Sequence, residues 1–165
     1  SVSVSDLNGS WQVMFQPGRG APERTTLNRL SPLAEHDYPG IKHFSGTATY
    51  TTSVTWPRTA RSQGGLELDL GRIGDVAEVR VNGQLAGTVW KAPYRLKVGG
   101  LVRPGQNRLE IRVANLGATR LIGDAQPGAT KVAFTTVKTY TARAPQRPSC
   151  LFGPVRLMTT RGEER

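Results

Sequence analysis

The fold of this chain is decided by residues 66–124, which read LELDLGRIGDVAEVRVNGQLAGTVWKAPYRLKVGGLVRPGQNRLEIRVANLGATRLIGD. Apolar and polar residues alternate along this stretch, so that every second side chain faces the same side of a strand. Asn82-Gly83 supplies the positive φ angles of a tight hairpin turn, which predicts that Gln84–Val89 returns antiparallel to the strand before it. A second turn follows at Pro104-Gly105, and the alternation resumes after it. The stretch therefore predicts antiparallel β-structure.

The same alternation occurs outside this stretch. Four further segments show it and are predicted to be strands: residues 7–15, 45–57, 130–142 and 154–159. Residues 16–40 form a long connection, in which leucines at three-residue spacing permit one short helical turn that Pro32 limits. Strands that recur about every ten residues between turn signals are typical of a two-sheet sandwich. The sequence therefore predicts an all-β fold, a jelly-roll β-sandwich.

The length and composition limit the class of protein further. With 165 residues the chain can bury a core without disulfides, so we predict one domain over residues 1–160 and a frayed tail at 161–165. The single cysteine, Cys150, has no partner for a disulfide or a zinc site. No apolar run approaches the roughly 20 residues of a membrane helix, so no membrane partner is expected. The chain begins at Ser1 without the features of a signal peptide, and we interpret it as a fragment.

The net charge of +10 comes from 22 basic and 12 acidic residues. The basic residues are mostly arginines, and they are spread along the chain instead of forming a block. Nucleic-acid binders usually concentrate their basic residues on one helix or loop, so no nucleic-acid partner is expected. Two interpretations stay open. The charge attracts an acidic polymer such as a uronic-acid polysaccharide, or it belongs to an arginine-rich solvated surface.

The acidic residues do not indicate an active site. Hydrolysis of a glycoside needs two carboxyl groups about 5–9.5 Å apart in a cleft. The carboxylates of the central strands alternate with core positions and are predicted to face solvent; they are Glu67, Asp69, Glu78 and Glu110. The sequence also lacks a Gly-x-Ser-x-Gly elbow and a His-Glu-x-x-His motif. We therefore expect no catalytic residues and no enzyme activity of this chain by itself.

Six phrases, in order along the chain, resemble a known module. They are GSWQVMFQP at 9–17, PGIKHFSGTATYTTSVTWP at 39–57, LDLGRIGDVAEVRVNGQLAGTVWKAPYRL at 68–96, LVRPGQNRLEIRVANL at 101–116, RLIGD at 120–124 and LFGPVRL at 151–157. The chain resembles the galactose-binding-like, sugar-binding domain of glycoside hydrolase family 2. In wording it is most similar to the C-terminal modules of large bacterial α-L-rhamnosidases.

The resemblance implies a non-catalytic module of a bacterial glycoside hydrolase whose catalytic domain lies on another part of the protein. Such a module binds a plant or algal polysaccharide, with an acidic polysaccharide as one alternative. The other alternative is a structural interdomain module that buttresses the catalytic domain without binding sugar. The expected partners are thus a carbohydrate and the catalytic domain of the parent enzyme, which is expected to be secreted or periplasmic.

The candidate carbohydrate-binding residues combine an aromatic face with polar groups for sugar hydroxyls. They are Trp90, Lys91, Tyr94, Arg95, Asn115, Arg120 and Asp124. Trp90 is expected to stack on a sugar, with Lys91 and Arg95 binding hydroxyls or a carboxylate. The alternative for Trp90 and Tyr94 is that they cap the core at a sheet end. The alternative for the polar loop is that an Arg120–Asp124 pair fixes it.

No cofactor is expected from the sequence. His36 and His43 flank a Pro-Gly turn without further ligands at useful spacing, so we interpret them as surface or loop-packing residues. The resemblance implies that modules of this type often hold a structural calcium. The cluster of Asp and Asn oxygen ligands that a calcium ion prefers is not visible in the sequence.

Overall fold

The structure is a computed structural model, and it describes residues 2–7, 9–44, 46–56, 65–74, 76–115 and 151–160. The strand predicted at 130–142, Cys150 and the tail at 161–165 lie outside these residues. The prediction of one domain over residues 1–160 therefore stays a prediction.

Strands make up most of the described part of the chain. They are β1 (Val2–Asp6), β2 (Trp11–Phe15), β3 (Arg24–Leu27), β4 (Gly46–Trp56), β5 (Leu66–Asp69), β6 (Arg72–Ile73), β7 (Val76–Val81), β8 (Gln84–Val89), β9 (Arg95–Lys97), β10 (Gly105–Asn115), β11 (Leu151–Gly153) and β12 (Arg156–Thr160). The predicted strand at 7–15 begins later, at Trp11, and it is preceded by β1, which the sequence did not predict.

The connection at 16–40 contains more structure than the sequence predicts. β3 lies within it, followed by a 3-10 turn at Leu33–Glu35 and a one-turn helix, α1, at Pro39–Lys42. The 3-10 turn starts directly after Pro32. Pro39 is the first residue of α1, where its missing N–H costs no hydrogen bond. No helix in the described residues is long and apolar enough to cross a membrane.

The strands form two larger sheets and one small one. Sheet 1 has six strands in the order β3-β2-β4-β10-β7-β8, and sheet 2 has four in the order β1-β12-β5-β9. β11 and β6 form a two-stranded ribbon. Every ladder between these strands is antiparallel. The prediction of an all-β sandwich is confirmed.

The core lies between the apolar faces of the two larger sheets. The alternation predicted for β2, β7 and β10 is seen as alternating burial, with Trp11, Val79 and Ile111 almost fully buried. Leu66 and Leu68 of β5 contribute the facing layer from sheet 2. Since an apolar side chain of this size contributes about 1.5–3 kcal/mol when it is fully buried, the core accounts for the pairing of the two sheets.

One polar side chain, Asn107 of β10, lies inside this core at 4% exposure. Its amide nitrogen donates to the carbonyl oxygens of Arg103 (2.8 Å) and Gly105 (3.1 Å). Its amide oxygen accepts from the Arg103 backbone N–H and from Nδ2 of Asn82, both at 2.9 Å. Buried polar groups are tolerated only when they are hydrogen-bonded, and every polar atom of this side chain is.

Asn82 connects this network to the hairpin turn between β7 and β8. It adopts a positive φ of 51°, as the turn prediction requires, and its backbone N–H donates to the Arg108 carbonyl at 2.8 Å. The Arg108 N–H donates back to Oδ1 of Asn82 at 2.9 Å. The two asparagines therefore fix the turn, the start of β10 and the loop before it to one another.

Gly71 and Gly153 form a second close contact, where sheet 2 meets the ribbon. Gly71 has a φ of +68°, and a Cβ atom there would lie 2.6 Å from both the carbonyl carbon and the carbonyl oxygen of Gly153. Real Cβ atoms do not approach backbone this closely. The Gly71 N–H donates to Oδ1 of Asp69 at 2.8 Å, which holds the turn after β5.

The first prediction concerns the buried amide. Asn107→Ala removes the partner of the Arg103 N–H and of the Arg103 and Gly105 carbonyl oxygens. It also removes one of the two acceptors of the Asn82 amide, which keeps the Leu101 carbonyl. Each unmade buried hydrogen bond costs about 1–3 kcal/mol. We expect the free energy of unfolding, measured with urea, to fall by about 2–4 kcal/mol. Asn28→Ala, at an exposed position, is the matched control. Equal stability of the two variants would contradict this role of Asn107.

The second prediction concerns the glycine contact. Gly71→Ala combines a left-handed backbone with a clash against Gly153, so we expect a loss of about 2–4 kcal/mol in the free energy of unfolding. Gly100→Ala is the control, because a Cβ atom there meets nothing within 4 Å. An unchanged urea midpoint for Gly71→Ala would show that the two turns separate easily.

Candidate functional site

The loop between β8 and β9 carries three of the candidate residues, Trp90, Lys91 and Tyr94, and the fourth, Arg95, begins β9. The backbone of this loop is held at its C-terminal end, where the Leu70 N–H donates to the Tyr94 carbonyl and the Arg95 N–H to the Pro93 carbonyl, both at 2.9 Å. Tyr94 is half-buried and packs against the core, and the Ala92–Pro93 peptide is cis. The loop is therefore attached to sheet 2 at its C-terminal end.

Arg95 forms an ion pair with Asp69, and the distance from Nε to Oδ2 is 3.1 Å. The Asp69 side chain is only 18% exposed, and its other oxygen accepts the hydrogen bond from Gly71. Asp69 was predicted to face solvent, but in the structure it is largely covered because it lies between Arg95 and the turn after β5. The Arg95 side chain is 45% exposed, and among the described residues its guanidinium group is hydrogen-bonded through Nε alone.

Trp90 directly follows β8, at the start of the loop, and is 69% exposed. The Lys91 ammonium nitrogen lies 5.8 Å from the centroid of the Trp90 ring, a cation–π distance. Of the two sequence-based alternatives, capping of the core describes Tyr94 but not Trp90. A flat, uncovered indole beside an ammonium group can stack on the C–H face of a sugar ring while the cation meets a hydroxyl or a carboxylate.

The other candidates are not brought into this loop by the described structure. Asn115 is the last residue of β10, opposite Gly46 of β4, and its side chain lies outside the description, as do Arg120 and Asp124. The register places the end of β10 level with the end of β8, two strands away in sheet 1. The backbones of Asn115 and Trp90 are thus separated by about 10 Å across the sheet.

A feature that the sequence analysis missed lies on the outer face of sheet 1. A groove of about 410 Å³ runs over β2, β4, β10 and β7. We call it the sheet-face groove, and its lining includes Met14, Thr49, Glu78, Arg80, Glu110 and Arg112. Its signal in the sequence is a repeated tripeptide, Glu-Val-Arg at 78–80 and Glu-Ile-Arg at 110–112. Glu78 and Glu110, predicted to face solvent, lie in this groove and are half-buried.

The described residues contain no group of three or more His, Cys, Asp or Glu side chains that could hold a metal ion. His36 accepts a hydrogen bond at Nδ1 from the Tyr38 backbone N–H at 3.1 Å, a local turn contact.

Comparison with solved structures finds the same domain in longer proteins. A rhamnosidase from Novosphingobium sp. PP1Y is 52% identical to this chain over 96% of its length, with a TM-score of 0.91. The β-D-glucuronidase of Dictyoglomus thermophilum has the same fold over 97% of the chain, with a TM-score of 0.68, but only 17% identity.

A curated relative agrees with this likeness. A protein of Formosa agariphila, named provisionally as a beta-glucuronidase, is 42% identical over 119 residues, or 72% of this chain. These proteins are much longer. The chain spans 15% of the Novosphingobium rhamnosidase and 10% of the Formosa protein.

A family model describes the same part of the chain. The model of the glycosyl hydrolase 2 galactose-binding domain-like family matches residues 35–147, which include β4, β5, β7, β8 and β10. The antiparallel sandwich, the relatives and this match agree, and the chain belongs to the glycosyl hydrolase 2 galactose-binding domain-like family.

Proposed function

We propose that this chain is a non-catalytic module of a bacterial, rhamnosidase-like glycoside hydrolase and that it binds a plant or algal polysaccharide through the loop after β8. The observation that carries the proposal is the exposed Trp90 beside Lys91 on a loop that is braced at its base. An exposed tryptophan offers a large apolar face together with a polar N–H, a combination that is enriched at binding surfaces. The family, with relatives named as a rhamnosidase and a glucuronidase, supports a sugar chain as that partner.

The ion pair of Arg95 with Asp69 supports this role by pre-organising the loop. A rigid loop loses less conformational entropy when a ligand binds. The entropic cost of ordering the backbone therefore offsets less of the free energy gained by stacking on Trp90. In this proposal Tyr94 and Arg95 act mainly through the position of the loop, with the outer guanidinium N–H groups of Arg95 available to hydroxyls. Asn115, Arg120 and Asp124 are proposed to supply a polar wall from the segment that follows β10.

A uronate- or rhamnose-containing polysaccharide fits this loop. Lys91 adds a positive charge beside the stacking face, and the net charge of +10 steers acidic chains toward the module. The parent enzyme is proposed to be secreted or periplasmic, where such polymers are found.

The second candidate function is that of a structural module that buttresses a catalytic domain. It is favoured by large apolar side chains that lie exposed at separate places on the described surface: Met14, Tyr38, Leu85 and Trp90. The much longer relatives contain other parts against which such residues can pack. In this alternative Trp90 is an interface anchor and the isolated chain has no affinity for sugar.

The third prediction separates these two functions. Trp90→Ala is expected to lower the affinity of the chain for a rhamnose- and uronate-containing polysaccharide by at least about tenfold, because truncating a central tryptophan costs about 2 kcal/mol or more. The measurement is isothermal titration calorimetry. Tyr38→Ala, which removes another exposed aromatic side chain away from the loop, is the control and should bind like the unchanged chain. No heat with any polysaccharide of an acidic and neutral panel would favour the buttressing function.

The fourth prediction tests the charge beside the indole. Lys91→Met keeps the apolar stem of the side chain and removes the ammonium group. We expect weaker binding of acidic polysaccharides, a smaller dependence of their affinity on salt, and unchanged binding of neutral ones. Lys42→Met, on α1, is the matched control. An equal loss for neutral and acidic ligands would show that Lys91 acts by packing and not by charge.

A further inference from the structure

The strand register places charges of opposite sign side by side in the sheet-face groove. Arg112 of β10 lies opposite Glu78 of β7, and Glu110 lies opposite Arg80. On the other side of β10, Arg112 lies opposite Thr49 and Glu110 opposite Thr51, both in β4. The outer face of sheet 1 therefore carries two adjacent rows in which carboxylate, guanidinium and hydroxyl groups are neighbours, about 5 Å apart from strand to strand.

Part of the hydrogen-bonding capacity in these rows is unused. Glu78 and Arg80 bind each other, with 3.0 Å between Oε1 and Nη2. Within the part of the chain that the structure describes, the side chains of Glu110 and Arg112 form neither a hydrogen bond nor an ion pair. Their planar groups can accept and donate in pairs, which matches the neighbouring hydroxyls of a sugar ring.

The groove also has an apolar side. Met14 of β2 lies opposite Thr49 and is 50% exposed. A sugar ring presents hydroxyls at its rim and C–H groups on its faces, so a site needs both kinds of surface. The thioether of Met14 supplies an adaptable apolar contact at one end of the row that contains Arg112.

We propose that the sheet-face groove is a second carbohydrate site, which binds an uncharged stretch of an oligosaccharide. The proposal rests on the proposed function in that both sites serve a sugar-binding module, but it uses other residues. Each negative charge in the groove has a positive neighbour, so a bound carboxylate would be attracted by Arg112 and repelled by Glu78 and Glu110. Neutral hydroxyls, which both donate and accept, satisfy all of these groups at once.

The groove and the Trp90 loop differ in the charges that they present to a ligand. The loop has a cation beside its aromatic face, whereas the groove has balanced charges and two threonines of β4, Thr47 and Thr49. Thr88 of β8 lies opposite Glu78 and thus continues the Arg112 row toward Trp90. The two sites are therefore neighbours at one end of sheet 1, with different selectivity.

The test titrates the full chain, labelled with ¹⁵N, with hexasaccharides of rhamnose, xylose, mannose and galactose, and separately with oligogalacturonate. We expect at least one neutral hexasaccharide to shift the amide resonances of 47–51, 78–80 and 110–112. Glu110→Gln and Arg112→Lys should each weaken that binding by about tenfold, because each weakens the hydrogen bonds between a charged planar group and the sugar hydroxyls. Glu67→Gln, which removes the same group from β5 of sheet 2, is the matched control and should leave the affinity unchanged.

The outcomes separate the two proposals. If no neutral hexasaccharide shifts the groove resonances, or if Glu110→Gln and Arg112→Lys bind like Glu67→Gln, the groove is not a carbohydrate site. Loss of all sugar binding in Trp90→Ala alone would then leave the loop as the site. Conversely, groove shifts that persist in Trp90→Ala would support the second site even if the loop proposal fails.

Discussion

The position of β10 between β4 and β7 is the constraint on which the rest of sheet 1 depends. β10 pairs with β4 along all of its 11 residues and with β7 along six. A slip by one residue would turn Leu109, Ile111 and Val113 out of the core and bring the charged residues in. Asn82 and Asn107 prevent this slip, because their hydrogen bonds are satisfied in one register only. The alignment of Glu110 with Arg80 in the sheet-face groove follows from the same register.

Some polar side chains of this protein hold turns and loops in place, and others lie exposed to solvent. Asp69, Asn82 and Asn107 are covered and hold turns or loops, while Lys91, Glu110 and Arg112 have polar ends that reach solvent. Exposed ion pairs contribute about 0–1 kcal/mol, so the pairs of Arg24 with Glu23 and of Arg156 with Asp6 add little to stability. These two exposed pairs therefore do not account for the excess of arginine through stabilisation of the fold.

The sequence predicted those strands whose alternation and turns are local. The hairpin at Asn82-Gly83 and the apolar faces of β2, β4, β7 and β10 can be inferred from spacing alone. β1 was missed because its partner is β12, at the other end of the chain, with Asp6 opposite Arg156. β3 was missed because it is a four-residue edge strand of polar and β-branched residues within a turn-rich segment.

The candidate site was predictable only where its features are local in the sequence. A tryptophan after a strand end was recognisable as a possible platform for a sugar. The anchoring of its loop was not, because Tyr94 and Arg95 are held by Leu70 and Asp69, at the end of β5. The groove could not be predicted, because it arises only when two Glu-x-Arg tripeptides, about thirty residues apart, are aligned by the register of β7 and β10.

The choice of cations in the two regions has a practical consequence for handling the protein. The cations of the sheet-face groove are guanidinium groups, which do not react with amine-directed reagents at neutral pH, whereas Lys91 has a primary amine beside the Trp90 ring. Coupling through lysines to a bead or sensor surface would therefore alter the loop and spare the groove. Attachment through an added terminal tag would leave both surfaces chemically unmodified.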